Sequence, residues 1–109
     1  MKSRILVVDD EKIKLITLLD ALSKEGYEVE GCEDGLTALN KLEESGFDIV
    51  VADLKLPKMD GMELLRRIKE NYSDTEVIIM TAYGTIESAV SAMKMGAHDY
   101  ITKPFPTEE

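Results

Sequence analysis

The sequence predicts a single α/β domain with a doubly wound, five-stranded parallel sheet. Short apolar runs of strand length alternate along the chain with segments whose apolar residues recur at helical spacing. The connections are short, and the resulting βαβαβαβαβ pattern is typical of a parallel sheet with helices on both faces. The length, 109 residues, is that of one domain.

The first half of the chain predicts two strands and two helices. Ile5–Val8 is a continuous apolar run, as expected for a strand covered on both faces. Lys12–Glu25 carries leucines at helical spacing and stops at Gly26. Tyr27–Cys32 alternates with glutamates and predicts an exposed strand near an edge, and Asp34 is a plausible N-cap for the second helix. The predicted buried stripe of that helix is Leu36, Ala38, Leu39 and Leu42.

The second half repeats the alternation. The predicted strands are Asp48–Asp53, Glu76–Met80 and Asp99–Ile101. The third helix is marked by Met62, Leu65 and Ile68. The fourth begins at Thr85, and the residues on its apolar face are Ile86, Ala89, Val90 and Met93.

Two general rules limit the strand order. Crossovers between parallel strands are right-handed, which leaves few arrangements. The order 2-1-3-4-5, that of a flavodoxin-like sheet, places the first and third strands side by side at the switch point where such sheets bind ligands. Strand-end residues would then cluster, namely Asp9, Asp10 and Asp53, with Thr81 and Lys103 arriving from the fourth and fifth strands.

A fifth helix should follow Pro104 and close the fold. The chain continues only through Pro106–Glu109, which is typical of a helix start. We therefore expect the fifth helix to be missing or truncated, with one side of the fourth and fifth strands uncovered.

Composition narrows the classes of partner. The formal net charge of −9 argues against direct contact with nucleic acid or an anionic membrane surface. No apolar run approaches the roughly 20 residues of a membrane span, and the N-terminus lacks the apolar core of a signal peptide. Cys32 is the only cysteine, which fits a reducing compartment, and we expect a cytoplasmic protein.

The strand-end residues predict a reaction class. Three neighbouring carboxylates repel one another, and a cation relieves that repulsion. Oxygen-only ligands favour Mg²⁺, or Mn²⁺, over zinc. Lys103 can hold a phosphoryl oxygen or pair with Asp53, and Thr81 offers a hydroxyl. Such a set of groups indicates phosphoryl transfer onto an aspartate.

Simpler interpretations of the same residues stay open. Asp9 and Asp10 suit the start of a helix, where the dipole favours acids. Thr81 would serve as an N-cap, and Tyr100 as an ordinary core residue.

With these motifs in this order, the chain resembles a receiver domain of the bacterial two-component response regulators. The resemblance covers essentially the whole chain except the last helix. The motifs that carry it are Ile5–Glu11, Asp53 with Leu56-Pro57 and Met59-Asp60-Gly61, Met80–Ala82, and Tyr100–Phe105. It implies that residues 1–109 are a receiver domain without its C-terminal helix or any effector domain.

The resemblance also implies roles for the site residues. Asp53 would accept a phosphoryl group from a sensor histidine kinase or a small phosphodonor. Asp10, Asp53 and the backbone carbonyl of Lys55 would bind Mg²⁺ directly, and Asp9 directly or through water. The implied phosphate contacts are Thr81, Ala82 and Lys103.

A switch is implied as well. Thr81 would move to the phosphoryl group and Tyr100 would turn inward behind it. Lys103-Pro104 is similar to the cis peptide bond of the family. The helix from Thr85 and the strand at Tyr100 would form an output surface that promotes homodimerisation and controls an attached effector. The expected domain is thus a switch rather than an enzyme, with slow autodephosphorylation at most.

Two segments suggest a subgroup of the family. Met80–Thr85 and Ala92–Ala97 are most similar to receivers of the nitrogen-regulation type. Those receivers usually precede an ATPase and a DNA-binding domain in activators of sigma-54 promoters, which implies a role in transcription.

Two other classes of function fit the predicted fold less well. A phosphatase with an aspartate nucleophile would place an acid two residues after Asp53, where this chain has Lys55. A flavin-binding module would need a loop rich in Ser, Thr and Gly after the first strand, where this chain has Asp9–Lys12.

Overall fold

The computed structural model describes residues 3–102. Strands and helices alternate along this part of the chain as β1 (Arg4–Val8), α1 (Lys12–Lys24), β2 (Glu28–Cys32), α2 (Gly35–Glu44), β3 (Ile49–Ala52), α3 (Gly61–Asn71), β4 (Glu76–Thr81), α4 (Ile86–Lys94) and β5 (Asp99–Thr102). The strand order is β2-β1-β3-β4-β5, and all four pairings are parallel. The predicted flavodoxin-like sheet is confirmed.

The register of the central strands places two acidic residues side by side. In the pairing of β1 with β3, Val8 lies opposite Ala52. The Asp53 N–H still donates to the Val8 carbonyl at 3.2 Å, so Asp53 continues the ladder beyond the strand. Because paired strands lie about 4.8 Å apart, Asp9 and Asp53 are neighbours at the carboxyl edge of the sheet.

An apolar core covers each face of the sheet. On one face, Leu6, Val50 and Ile79 pack with residues of α2, α3 and α4. On the other face, Ile5 and Val7 pack against α1, chiefly through its buried Leu15. Cys32 belongs to the first cluster, and burial raises the pKa of its thiol to about 11.

Side-chain caps begin three of the helices, and those at Asp34 and Thr85 agree with the predicted helix starts. Asp34 accepts a hydrogen bond from the Thr37 N–H at 2.7 Å at the start of α2. Asp60 accepts one from the Glu63 N–H at 2.9 Å before α3. Thr85 caps α4 within a capping box. Each cap satisfies an N–H that the first helical turn leaves without a backbone partner.

The buried faces of α2 and α4 differ from the faces their sequences suggest. Leu36 was predicted to be buried and is 46% exposed. The buried residues of α2 are Gly35, Ala38 and Leu42. In α4 the apolar face points to solvent, with Ile86 85% exposed, whereas Ala92 is the buried residue of that helix.

Some predictions concern residues beyond the described range. The fifth helix, and with it the uncovered side of β4 and β5, depends on residues 103–109, which lie outside the described residues. Within residues 3–102, none of the helices combines the length and the apolar character needed to cross a lipid bilayer.

Candidate functional site

Asp53 lies directly after β3, at the carboxyl edge of the sheet, and only 6% of it is exposed. Its Oδ1 accepts a hydrogen bond from the Thr81 hydroxyl at 2.6 Å and another from the Lys55 backbone N–H at 3.2 Å. Thr81 ends the neighbouring strand β4, so the pairing of β3 with β4 fixes this contact. The carboxylate is therefore held in one orientation by two elements of the fold.

Asp9 and Asp10 occupy different environments. Asp9 is 6% exposed, and its Oδ1 accepts a hydrogen bond from the Glu11 N–H at 3.0 Å. Glu11 is the N-cap of α1 and makes no side-chain cap of its own. Asp9 therefore also orders the start of α1, as the simpler interpretation suggests, whereas Asp10 is exposed to solvent.

The negative charge of these residues reaches α1. The pKa of the Lys14 ammonium is raised, chiefly by its hydrogen bond with Glu11, and attraction to Asp9 and Asp53 adds to the effect. The ion pair between Lys14 and Glu11 spans 3.0 Å. A cation beside the site is thus stabilised in its charged form.

The donor set at this edge suits a divalent cation that keeps part of its water shell. Two buried carboxylates from neighbouring strands, Asp9 and Asp53, supply hard oxygen ligands, and Asp10 follows in the chain. Within the described range, no three Asp, Glu, His or Cys side chains converge on one point. Mg²⁺ typically takes one or two carboxylates and retains several waters, so the residues present fit that ion.

Thr81 ties the turn after β4 to Asp53. Its buried hydroxyl donates to Asp53 and accepts the Tyr83 N–H at 3.1 Å. Ala82, between them, is exposed. Since Thr85 is the N-cap of α4, the interpretation of Thr81 as an N-cap is wrong.

The side chain of Lys55 lies at the mouth of the site, over an aromatic ring. Its Nζ is 4.7 Å from the centroid of the Tyr83 ring, within the range of a cation–π contact. The sequence assigns no role to this pair, because nothing in the spacing of residues 28 positions apart predicts their contact. The position that a phosphatase would fill with an acid therefore carries a cation held by an aromatic ring.

The loop from β3 to α3 contacts α2. Gly61 packs so closely that a Cβ there would overlap the Asp53 carbonyl oxygen and lie 2.7 Å from the Leu54 Cα.

Lys58, in the same loop, adopts a left-handed backbone with φ of +72°. Its Nζ lies 3.7 Å from the Asp34 carboxylate, which lowers the pKa of Asp34 in addition to the larger effect of its cap hydrogen bond.

Tyr100, predicted as a switch residue, is half-buried on β5 and contacts α4. Its hydroxyl is 2.5 Å from Ser88 Oγ. A Cβ at Gly84 would overlap that hydroxyl, so the turn before α4 is shaped around the phenol. No role for Ser88 could be predicted from the sequence, since a serine beside an apolar helix face usually contacts solvent.

Lys103 and Pro104 lie outside the described residues. The phosphate contact of Lys103 and the cis peptide bond between the two residues therefore stay predictions.

Comparison with known proteins identifies the family. The sequence model of the response regulator receiver domain matches residues 5–109. The regulatory protein AtoC of Escherichia coli is 39% identical over 107 residues, a match that covers 98% of this chain and 23% of AtoC. The transcriptional regulatory protein ZraR of Klebsiella oxytoca is 46% identical over 101 residues, covering 92% of this chain and 23% of ZraR.

Other relatives are shorter. The transcriptional regulatory protein TrcR of Mycobacterium tuberculosis is 41% identical over 106 residues, covering 97% of this chain and 41% of TrcR. The chain thus spans less than half the length of each of these curated relatives.

Solved structures agree with the sequence relatives. A response regulator receiver domain from Clostridium thermocellum is 37% identical, with a TM-score of 0.89 over 95% of this chain and 84% of that one. The BeF3-activated DrrB receiver domain is 38% identical, with a TM-score of 0.87 over 97% of this chain and 88% of that one. Together with the buried strand-end aspartates, these matches show that the chain belongs to the response regulator receiver domain family, whose members are signalling switches of two-component systems.

Proposed function

We propose that the chain is a phosphoacceptor switch in which Asp53 receives a phosphoryl group from a sensor histidine kinase in the presence of Mg²⁺. The observation that carries the proposal is the burial and hydrogen bonding of the Asp53 carboxylate. It is a buried carboxylate beside a second buried carboxylate, Asp9, and is oriented by the Thr81 hydroxyl and the Lys55 N–H. A carboxylate held in this way at the edge of a parallel sheet suits a nucleophile.

The transfer exchanges one bond for another. A carboxylate oxygen of Asp53 forms a bond to phosphorus, and the bond from phosphorus to the donor nitrogen or oxygen breaks. The leaving group keeps the electron pair, and an acyl phosphate remains on Asp53. The Thr81 hydroxyl already donates to the carboxylate at 2.6 Å, so it is placed to donate to a phosphoryl oxygen.

The proposed metal ligands are the carboxylates of Asp9, Asp10 and Asp53 and the backbone carbonyl of Lys55. A bound Mg²⁺ would neutralise charge on the transferring phosphoryl group. Mn²⁺, which also prefers oxygen ligands, would substitute for it. The Lys55 N–H that donates to Asp53 shows that this stretch of backbone turns toward the carboxylate. Lys103 and Ala82 are proposed as further phosphate contacts.

The proposed output surface is the solvent-facing side of α4 together with β5. Ile86, Val90 and Met93 form an exposed apolar row at helical spacing. Exposed apolar patches of this kind commonly mark contact surfaces. We propose that phosphorylation acts on this surface through Thr81 and Tyr100, and that this row then takes part in homodimerisation.

The relatives suggest what the switch controls. AtoC, ZraR and TrcR are named as regulatory or transcriptional regulatory proteins, and this chain matches only part of each. We propose that the domain regulates transcription through an attached effector, in the cytoplasm, without itself contacting DNA or a membrane. The assignment to the sigma-54 activator type extends the resemblance of Met80–Thr85 and Ala92–Ala97.

Intact mass after incubation with acetyl phosphate and Mg²⁺ tests the proposal. We expect a gain of about 80 Da, one phosphoryl group, in the wild-type chain and none in Asp53→Asn or with Mg²⁺ removed by chelation. Asp74→Asn, which removes an exposed carboxylate from the loop before β4, is the matched control and should gain the same mass. A gain that persists in Asp53→Asn would contradict the assignment of the acceptor.

A further inference from the structure

Ser88 lies on the inner face of α4, one turn before the buried Ala92. Its hydroxyl accepts the Thr85 N–H at 2.9 Å and has two further neighbours, the Thr85 carbonyl at 3.0 Å and the Tyr100 hydroxyl at 2.5 Å. A serine hydroxyl has one proton and two acceptor positions. With the proton directed to the Thr85 carbonyl, the second acceptor position takes the proton of Tyr100, whose phenol is the more acidic group.

Two residues, Ser88 and Gly84, contact the hydroxyl of Tyr100 and limit where it can lie. Ser88 contacts its hydroxyl from α4, and Gly84 lies against it from the preceding turn. A Cβ at Gly84 would overlap the Tyr100 oxygen and lie 3.0 Å from its Cε1. A side chain at residue 84 would therefore require the Tyr100 ring or the turn to shift.

The turn 82–85 is anchored at both ends in the same structure. At one end, Thr81 donates to Asp53 at 2.6 Å and accepts the Tyr83 N–H at 3.1 Å. At the other end, Thr85 and Ser88 form the capping box, and Ser88 contacts Tyr100. A shift of the turn that breaks one anchor strains the other, because only three residues lie between Thr81 and Thr85.

We propose that Ser88 is a positioning residue of the switch. Its hydrogen bond to Tyr100 holds the turn 82–85 where Thr81 reaches Asp53. This inference rests on the proposed function. A phosphoryl group on Asp53 gives Thr81 more acceptor oxygens and thus favours the same placement of the turn. Coupling between two sites is reciprocal. If a phosphoryl group on Asp53 strengthens the bond between Ser88 and Tyr100 by some factor, loss of that bond weakens binding of a phosphoryl mimic at Asp53 by the same factor.

Amide hydrogen exchange of the unliganded chain tests the hydrogen bond itself. Tyr100→Phe is expected to speed exchange in the first turn of α4 about fivefold, the effect of losing one hydrogen bond. Ser88→Ala should speed it at least as much, because it also removes the acceptor of the Thr85 N–H. The double variant should exchange no faster than the faster of the two single variants, and Ser88→Thr should match the wild type. Fully additive effects would show that the two hydroxyls do not act as a pair.

Titration with beryllofluoride in Mg²⁺, as a mimic of the phosphorylated state, tests the link to Asp53. Ser88→Ala and Tyr100→Phe should each bind it about fivefold more weakly, without additivity, and Ser88→Thr should bind as the wild type does. Ser91→Ala is the matched control, because it removes an exposed serine hydroxyl from the same helix and leaves the contacts of Ser88 in place. It should bind beryllofluoride as the wild type does.

The two experiments separate the two proposals. Wild-type chain that binds beryllofluoride, with Ser88→Ala and Tyr100→Phe binding equally well, would leave the function intact and overturn the positioning role. Wild-type chain that neither binds beryllofluoride nor gains a phosphoryl group would overturn the function and the positioning role with it. Tyr100→Phe keeps the capping box of α4, so the test stands even where Ser88→Ala does not fold.

Discussion

Lys58 carries a left-handed backbone, which lysine adopts only at a free-energy cost of about 1–2 kcal/mol. Glycine adopts the same conformation without a Cβ clash. We expect Lys58→Gly to raise the free energy of unfolding by up to about 1 kcal/mol, after the loss of the exposed contact with Asp34 and the greater freedom of glycine in the unfolded chain. Urea denaturation measures the change. Lys58→Ala loses the contact without relieving the backbone, so a gain in Lys58→Ala of equal size would contradict this account.

Gly61 is the opposite case. Its own backbone conformation does not require glycine, but the residue has no room for a side chain. A methyl group at this position meets the backbone of Asp53 and Leu54, which cannot move as a side chain can. We expect Gly61→Ala to lower the free energy of unfolding by about 1–3 kcal/mol and to slow phosphoryl acceptance at Asp53. Gly46→Ala is the matched control, since no atom lies within 4 Å of its added methyl group. Equal stability of the two variants in urea would refute the steric argument.

At this scale the sequence predicts residues whose role follows from their place on a strand. Asp9, Asp53 and Thr81 are strand-end residues, and parallel strands bring such ends to one edge. The contacts of Lys55 with Tyr83 and of Ser88 with Tyr100 depend on the path of the turns and on side-chain rotamers. Neither leaves a periodic signal, so neither could be predicted.

The third helix contains an ion-pair network that titrates in acid. Glu63 accepts hydrogen bonds from Arg66 and Arg67, and these lower its pKa from 4.5 to about 2. A carboxylate with a lowered folded-state pKa stabilises the fold fully above pH 4.5, and the stabilisation is lost as the pH falls towards 2. We expect Glu63→Gln to be less stable than the wild type at pH 7, and the difference to shrink across that window.

Urea denaturation at pH 7, 4 and 3 measures this difference. Because the network is exposed, half-molar salt should reduce the difference at pH 7. Glu87→Gln, in the first turn of α4, is the control, since residues 3–102 provide it with no ion pair. A difference between wild type and Glu63→Gln that is the same at pH 7 and pH 3 would contradict the role of this carboxylate.

At the scale of elements, helix starts were predictable and helix faces only partly so. Asp34, Asp60 and Thr85 cap their helices through contacts within three residues, which the local sequence determines. In α2, the buried direction is set by Gly35, Ala38 and Leu42, and Leu36 is turned about 100° from Gly35. An apolar residue predicts burial only where a neighbour covers it, and the row on α4 has no such neighbour among the described residues.

The net charge of −9 makes the molecule as a whole sensitive to cations. We expect millimolar Mg²⁺ to raise the melting temperature above its value in NaCl of equal ionic strength, because the proposed site would bind the ion only in the folded chain. At a concentration 100 times its dissociation constant, such an ion stabilises the fold by about 2.7 kcal/mol. Thermal denaturation measures the shift.

The control for the Mg²⁺-dependent rise in melting temperature is a variant that removes a carboxylate far from the proposed site. Asp53→Asn should abolish most of the specific Mg²⁺ shift, whereas Asp74→Asn, which removes one exposed carboxylate, should keep it. Equal shifts in both variants would mean that Mg²⁺ acts only by screening the overall charge.

The strand order of the sheet also affects when the site can form during synthesis of the chain. During synthesis β1 emerges first, yet one of its two partners, β3, is separated from it by 40 residues. A nascent chain can pair β1 with β2 early. The other edge of β1 stays unpaired until β3, Ile49–Ala52, has been synthesised. Asp9 and Asp53 meet only at that moment. The proposed phosphoacceptor site is therefore completed late in folding, and a truncated chain that ends before β3 would lack it.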